Sequence, residues 1–389
     1  MNKNYKGSLN ANNGRTDTSY VESTLQGVNR PHDKKSIIEV IEVIGREDTP
    51  LLSKVSTGQK ATQNKHSWLQ RKLPDADRKP FAAVSGFSGG SKPSTQRLDN
   101  ATEIFKHDDW ISYSAKDTVT YGESEQSQMH KDLILKHKKS MEYAILGIGR
   151  KSISDDGNGN YVRTALDADA TLAARMSLIA SPIFRSGEGT SPADASQMAG
   201  IFHFLANTDL SQANINSSNF RDLTDFSNGW LGNIKAFDTA NDWTGSRQSI
   251  DRKHINQLIR KMTDMGVKPS DGAFDLYTGG DLLESITDMY KDFRRSNATD
   301  KEVGYVVETI ITPFGKARVH YHADFNEVNG LNDVILCGNF SYLQKSYLTE
   351  TKKETPQTSE TAELLRYYSD MTLAVRNAYA FAAGVGLKA

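Results

Sequence analysis

The chain has 389 residues, a length for about two domains by the soft prior of ~100–200 residues each, and enough to bury a core without staples. Its 47 basic and 48 acidic residues leave a formal charge of −1, which argues against nucleic acid or an anionic membrane as an obligate partner. Cys337 is the single cysteine, so there is no internal disulfide, no apolar run approaches the ~20 residues that cross a bilayer, and Met1 to Arg15 lacks the apolar middle of a secretory signal. The expectation is a soluble, intracellularly made protein.

Residues 1–35 hold few large apolar side chains, with six basic and three acidic ones. They read as an arm, either a solvated tail or one ordered by lying on a neighbour. Ser36 to Ile44 follows as a short helix or a strand, between which periodicity does not decide. Asp48-Thr49-Pro50 then opens a brief helical turn with Leu51 and Leu52 as packing residues.

A long hairpin comes next. Its limbs run from Lys65 to Leu73 and from Gln96 to Ser114, around a tip rich in Pro and Gly (Pro74, Pro80, Gly86, Gly89, Gly90, Pro93). A tip of about twenty irregular residues far exceeds the usual connection of ~4–6, which marks an interaction loop. Phe81 and Phe87 are its apolar anchors, with Arg78, Lys79 and Lys92 against Asp75 and Asp77 as a polar rim.

An amphipathic helix is expected from Glu123 to Gly149. Met129, Leu133, His137, Met141, Ala144 and Ile148 recur at spacings of three and four, and Gly122 and Gly149 flank it. It is long enough to serve as a spine. Residues 151–205 mix turns with short elements, and in the polar stretch 206–250 Trp230 and Trp243 read as anchors to a core.

From Ser249 the pattern turns to mixed helix and strand. Ile255 to Met265 and Asp281 to Arg294 read as helices, and Phe274 to Tyr277, Tyr305 to Thr312, Ala317 to His322 and Asp333 to Gly338 as strands. Residues 341–355 look extended. Glu360 to Ala382 is a final helical or extended return. The fold class is α+β.

Four groups of residues invite a chemical reading. His320, His322 and Asp324 alternate along a strand and so share a face that could hold zinc, but no fourth ligand presents itself and a solvated strand face is favoured. Asp156, Asn158, Asn160 and Asp167 fall at calcium-loop spacing, yet Tyr161 stands where glycine is required, so a turn is the better reading. Gly279-Gly280-Asp281 precedes a helix but lacks the Lys-Ser/Thr of a phosphate loop, which leaves an ordinary strand-to-helix turn. Cys337 follows Val334-Ile335-Leu336 and reads as a small buried hydrophobe. No catalytic signature emerges.

In order along the chain, Asp48-Thr49-Pro50-Leu51, Trp68, Asn100 to Ile104 with Ser112-Tyr113-Ser114, Glu142 to Leu146, Met198-Ala199-Gly200-Ile201, Phe314-Gly315 and Phe340 to Glu350 resemble the major capsid proteins of tailed bacteriophages over residues 36–389. Ala199 stands where that family leads one to expect a second glycine.

The resemblance implies the Johnson fold. It would comprise an N-terminal arm (1–60), an extended loop (61–114), a peripheral domain with a spine helix (115–205), an axial domain (206–342) and a return to the peripheral domain (343–389). It implies a structural subunit without catalytic residues, metal or cofactor, assembled in the host bacterial cytoplasm into the hexamers and pentamers of an icosahedral virion shell. Its partners would be copies of itself, packaged double-stranded DNA held non-specifically on the inner face, and portal, scaffolding and decoration proteins, with no membrane. The extended loop, with Phe81, Phe87, Arg78, Lys79 and Lys92, would lie over a neighbouring subunit. No protease-removed scaffolding segment is expected within residues 1–35. A near-neutral wall suits a container that does not grip DNA, since tight binding needs many phosphate contacts. The rival reading is a metal-dependent hydrolase using His320, His322 and Asp324.

Overall fold

The computed structural model describes residues 49–71, 86, 95–118, 124–147, 182–185, 189, 194–208, 229–240, 243, 245–290, 308–358 and 360–389. The arm before Thr49, the loop tip with Arg78, Lys79, Phe81, Phe87 and Lys92, and the Asp156–Asp167 turn lie outside the described residues.

α1 (Pro50–Lys54) begins at a proline, whose missing N–H is no loss in a first helical turn. After β1 (Ser56–Thr57), β2 (Lys65–Arg71) and β3 (Thr95–Ala101) form an antiparallel hairpin in register from Lys65 opposite Ala101 to Arg71 opposite Thr95. Trp68 faces the body, its indole N–H donating to the Val375 carbonyl at 3.0 Å and its ring 5.6 Å from that of Phe204.

The second limb is shorter than the alternation led one to expect. It ends at Ala101, and β4 (Glu103–Ser112) belongs to a different sheet. The break is one residue wide. Thr102 donates from its backbone to the Asn64 carbonyl at 2.8 Å and from its hydroxyl to the Asn64 side chain at 2.9 Å. Ser112 then caps α2 (Tyr113–Asp117), its hydroxyl accepting from the Ala115 N–H.

The spine is α3 (Glu125–Leu146), 22 residues and so about 33 Å long. Ser124 caps its start, and it stops at Gly147 in the left-handed region (φ 68°), two residues before the glycine expected to end it. Leu133, His137, Met141, Ala144 and Ile145 form its buried stripe, together with Glu142, which the apolar periodicity had not included.

α4 (Ile201–Ala206) is buried throughout. β5 (Trp230–Leu231), β6 (Ile234–Ala236) and β7 (Gln248–Ser249) follow. Trp243 is buried and donates to the Gly229 carbonyl, while Trp230 is half-buried against the core. The α/β pattern from Ser249 is realised as α5 (Arg252–Asp264), β8 (Phe274–Thr278), α6 (Gly280–Met289), β9 (Thr309–Thr312), β10 (Gly315–Tyr321) and β11 (Ile335–Gly338). α5 buries Ile255, Leu258, Ile259 and Met262, the inward set its spacing predicts. The extended alternative holds for the remainder, as β12 (Leu343–Glu354), β13 (Ala362–Val375), β14 (Phe381–Val385) and β15 (Leu387–Lys388).

The described residues form four sheets, two of them two-stranded, β2-β3 and β7-β15, and two of them larger. Four strands lie in the order β1-β12-β13-β4, with α3 packed on β4 and β13. Seven lie in the order β5-β6-β14-β11-β8-β10-β9. In the second sheet β8, β11 and β14 are buried at every position, Cys337 included. Thus β12 and β13 return to the four-stranded sheet, while residues 381–385 cross into the middle of the seven-stranded one, between β6 and β11.

Candidate assembly surfaces and the junction behind them

The two sheets meet the arm at one buried carboxylate. The first N–H groups of α1 have no partner within so short a helix. Those of Leu51 and Leu52 donate to Glu142 Oε1 at 2.8 Å and Oε2 at 2.5 Å. His322 Nε2 donates to the same Oε1 at 2.9 Å. Glu142 is fully buried, and its charge is answered by three donors from two other parts of the chain, as a buried carboxylate requires. Lys345 of β12 donates to the Leu52 carbonyl at 2.7 Å, and Lys54 pairs with Asp275 of β8 at 3.1 Å. Burial alone would raise the Asp275 pKa, but hydrogen bonds from His320 and Lys54, and their charges, hold it below the usual carboxylate range. Residues 50–54 are therefore riveted to the spine and to both sheets.

This accounts for the three residues of the metal reading. His322 lies just past β10, which ends at Tyr321, and its ring packs edge-on against Tyr277 at 6.0 Å. Its Nε2–H serves Glu142 and its Nδ1 accepts from the Asp324 N–H at 3.2 Å, so both ring nitrogens are committed. His320 stacks on Tyr277 and lies 3.0 Å from Asp275. Among the described residues no three histidine, cysteine or acidic side chains are arranged to hold a metal ion. The Gly279 turn has a packing reason, since a β-carbon there would lie 2.1 Å from the Phe325 carbonyl oxygen.

A second clamp joins the hairpin to the residues before α4. The buried Asn100 side chain accepts from the Ala199 N–H at 2.8 Å and donates to the carbonyls of Ala199 and Leu373 at 3.1 and 2.7 Å. Glu103 accepts from the Met198 N–H at 3.1 Å. The backbone of Met198 and Ala199 is gripped on both sides of the Thr102 break.

What these clamps present outward is apolar. Leu69 is exposed on the hairpin, on the side away from Trp68. Among the described residues β4 and β9 are the outermost strands of their sheets. On β4, Ile104 and Trp110 are exposed, and between them Asp108 takes a two-pronged contact from Arg366 at 2.7 and 3.2 Å. On β9, Ile311 is 74% exposed, and Phe314 in the following turn, also exposed, accepts from the Thr263 hydroxyl of α5 at 3.2 Å. Trp and Arg on an unpaired edge have the composition of protein interfaces. A groove of about 580 Å³ opens beside the Glu142 junction, walled by Pro50, Lys139, Tyr143, Tyr321 and Val328. The sequence reading missed Trp110 and Ile311. The signal was present at Trp110, a large apolar residue on the polar phase of Lys106-Asp108-Trp110.

The family model for the SU10 major capsid protein matches residues 13–165 and 180–388. No curated protein matches the chain. Among solved structures, the fold is similar to the cyanophage A-1(L) capsid asymmetric unit, at 10% identity and TM-score 0.55, covering 91% of this chain and 97% of that one. It is similar to the mature capsid of bacteriophage PhiM1, at 10% identity and TM-score 0.52, covering 92% of each chain. It is also similar to the capsid of cyanophage P-SCSP1u, at 7% identity and TM-score 0.51, covering 91% and 93%. With the α+β architecture of those shells and a family match over most of its length, the chain belongs to the SU10 major capsid protein family, and is a structural capsid protein of the tailed-phage type.

Proposed function

We propose that the protein assembles with copies of itself into the hexamers and pentamers of an icosahedral virion shell around double-stranded DNA, and that it carries out no catalysis. The observation that supports this most is the placement of exposed Leu69, Trp110 and Ile311 on the hairpin and on the outer strands of the two larger sheets among the described residues. Apolar side chains in such places need cover. In this reading residues 1–60 form the arm, 61–114 the extended loop, 115–205 and 343–389 the peripheral domain, and 206–342 the axial domain around the capsomer axis. Assembly takes place in the host bacterial cytoplasm. Phe81 and Phe87 bury on a neighbouring subunit, with Arg78, Lys79 and Lys92 at the rim, each phenylalanine contributing ~1.5–3 kcal/mol. Portal, scaffolding and decoration proteins are the further partners.

The test is to replace residues 74–93 by a short Gly-Ser turn and to follow circular dichroism beside particle yield by electron microscopy. A folded subunit that makes few or fragile particles is the expected result. Normal, equally heat-resistant shells would remove the loop from assembly.

A further inference from the structure

Between the spine and the four-stranded sheet runs a chain of four side chains. Ser140 of α3 lies 3.0 Å from His107 Nε2 on β4, His107 Nδ1 lies 3.0 Å from His137 Nδ1 on α3, and His137 Nε2 lies 2.8 Å from Ser369 Oγ on β13. His137 and Ser369 are fully buried, and His107 is half-buried. The Ser140 hydroxyl is also 3.0 Å from the Lys136 carbonyl, to which it donates. In that arrangement Ser140 accepts from His107 Nε2–H. A neutral His107 then accepts at Nδ1 from His137 Nδ1–H, and His137 accepts at Nε2 from the Ser369 hydroxyl. Every polar atom is satisfied with both rings neutral.

One extra proton fits. If His107 takes it at Nδ1, His137 switches tautomer, accepts at Nδ1 and donates from Nε2 to Ser369, whose hydroxyl turns to Met141 Sδ 3.8 Å away. A second proton does not fit. It places N–H against N–H across a 3.0 Å gap between two cations, with the ring of Phe105 edge-on to His137 and Tyr367 alongside. We propose that this relay is a proton-sensitive latch, which tolerates one added proton and releases the spine from the sheet on the second.

The charges around it do not offset that second proton. Lys136 faces it from the helix. On β4 Asp108 favours protonation of His107, but it is already engaged by Lys106 and by Arg366 of β13. Tyr367 is the other titratable neighbour on β13. Burial, and then the neighbouring His107, push the His137 pKa down to about 4, while burial and then Lys136 lower that of His107. Both folded values lie below that of a free histidine, so the stability is complete above pH ~6.5 and is lost as the pH falls from there toward 4.

The test is hydrogen–deuterium exchange on the full-length protein from pH 7.5 to 4.5, corrected for the intrinsic rate. Protection of residues 133–145 is expected to fall below pH ~6.5, by up to about a hundredfold per pH unit where both rings stay neutral in the folded state and about tenfold where only His137 does, while α5 in the other sheet holds. In His107→Gln the side chain keeps an acceptor for His137 and a donor for Ser140 and cannot take a proton, so the acid loss should become shallower than in the wild type, leaving the part that belongs to the buried His137. The latch is overturned if wild-type spine protection tracks α5 at every pH, a result independent of any variant. It is equally overturned if folded His107→Gln, or His137→Asn where His107→Gln misfolds, loses protection as the wild type does.

Discussion

Gly147 and Gly200 cross with only their backbones between them. A β-carbon on Gly147 would lie 2.5 Å from Gly200 Cα, and one on Gly200 would lie 2.1 Å from Gly147 Cα. The contact fixes where the spine ends and where the step into α4 begins. Gly147 also has φ 68°, so alanine there is doubly strained. Gly200→Ala, at an ordinary φ, tests the contact alone. It is expected to cost more than ~2 kcal/mol, read as a lower urea midpoint with unchanged slope.

Removing the carboxylate at the junction strands two buried N–H groups and the His322 donor together. Glu142→Ala is expected to cost ~3–5 kcal/mol. Glu142→Gln keeps one acceptor oxygen, and its expected loss is smaller, ~1–3 kcal/mol. Urea unfolding of dissociated subunits measures both. Limited proteolysis supplies a second readout, since cleavage near Thr49 should speed up in proportion to the loss. Equal stability of all three proteins would show that α1 is held by its leucines alone.

Asp370 gives the opposite sign of pH dependence from the histidine relay. It is buried, its Oδ1 has no hydrogen-bond partner in the structure, and burial first, with the nearby Glu103 second, raises its pKa despite a hydrogen bond with Thr102. A carboxyl whose folded pKa exceeds its unfolded value costs nothing in acid and destabilises as the pH rises through the folded value. Asp370→Asn should therefore stabilise at pH 7.5, by ~1 kcal/mol, with the gain vanishing near pH 3.5. Urea midpoints at the two pH values decide it. A gain that persists in acid would assign the effect to packing.

Trp110→Lys and Ile311→Lys place a charge on each outer strand. Both side chains are largely exposed, so folding should be unaffected, within ~0.5 kcal/mol. Sedimentation velocity should show smaller assemblies for each variant. Shells of normal size and yield from either would remove that strand from the contact surface.

Elements with a periodicity of their own were legible before the structure. The stripe of α5, the hairpin from Lys65 and the buried run around Cys337 follow from alternation and spacing alone. Thr102 was not legible, because one residue that redirects a strand into another sheet leaves the alternation intact on both sides. Nor was Gly147 distinguishable from Gly149 as the end of the spine, since the choice depends on Gly200, 53 positions away in the sequence. Glu142 sat in a quoted motif without a role. A carboxylate on the buried side of an amphipathic helix was the available sign, and its partners come from residues 51, 52 and 322. The two histidines of the three-residue metal face are engaged elsewhere, His322 by Glu142 and His320 by Asp275, partners whose proximity no local alternation reveals.

The position of β14 sets a clock on the subunit. Its residues pair with β11 on one side and β6 on the other, and they leave the ribosome after every other strand of that sheet. Until then β6 and β11 each face an unfilled slot, and the seven-stranded sheet is two fragments. A nascent chain thus cannot join β5 and β6 to the fragment that carries β9, however early the hairpin and spine take shape. Polysomes crowd many unfinished copies together, where premature contact between like chains would be most damaging. Placing the last-made strand of the sheet at its centre keeps the two fragments apart until β14 joins them.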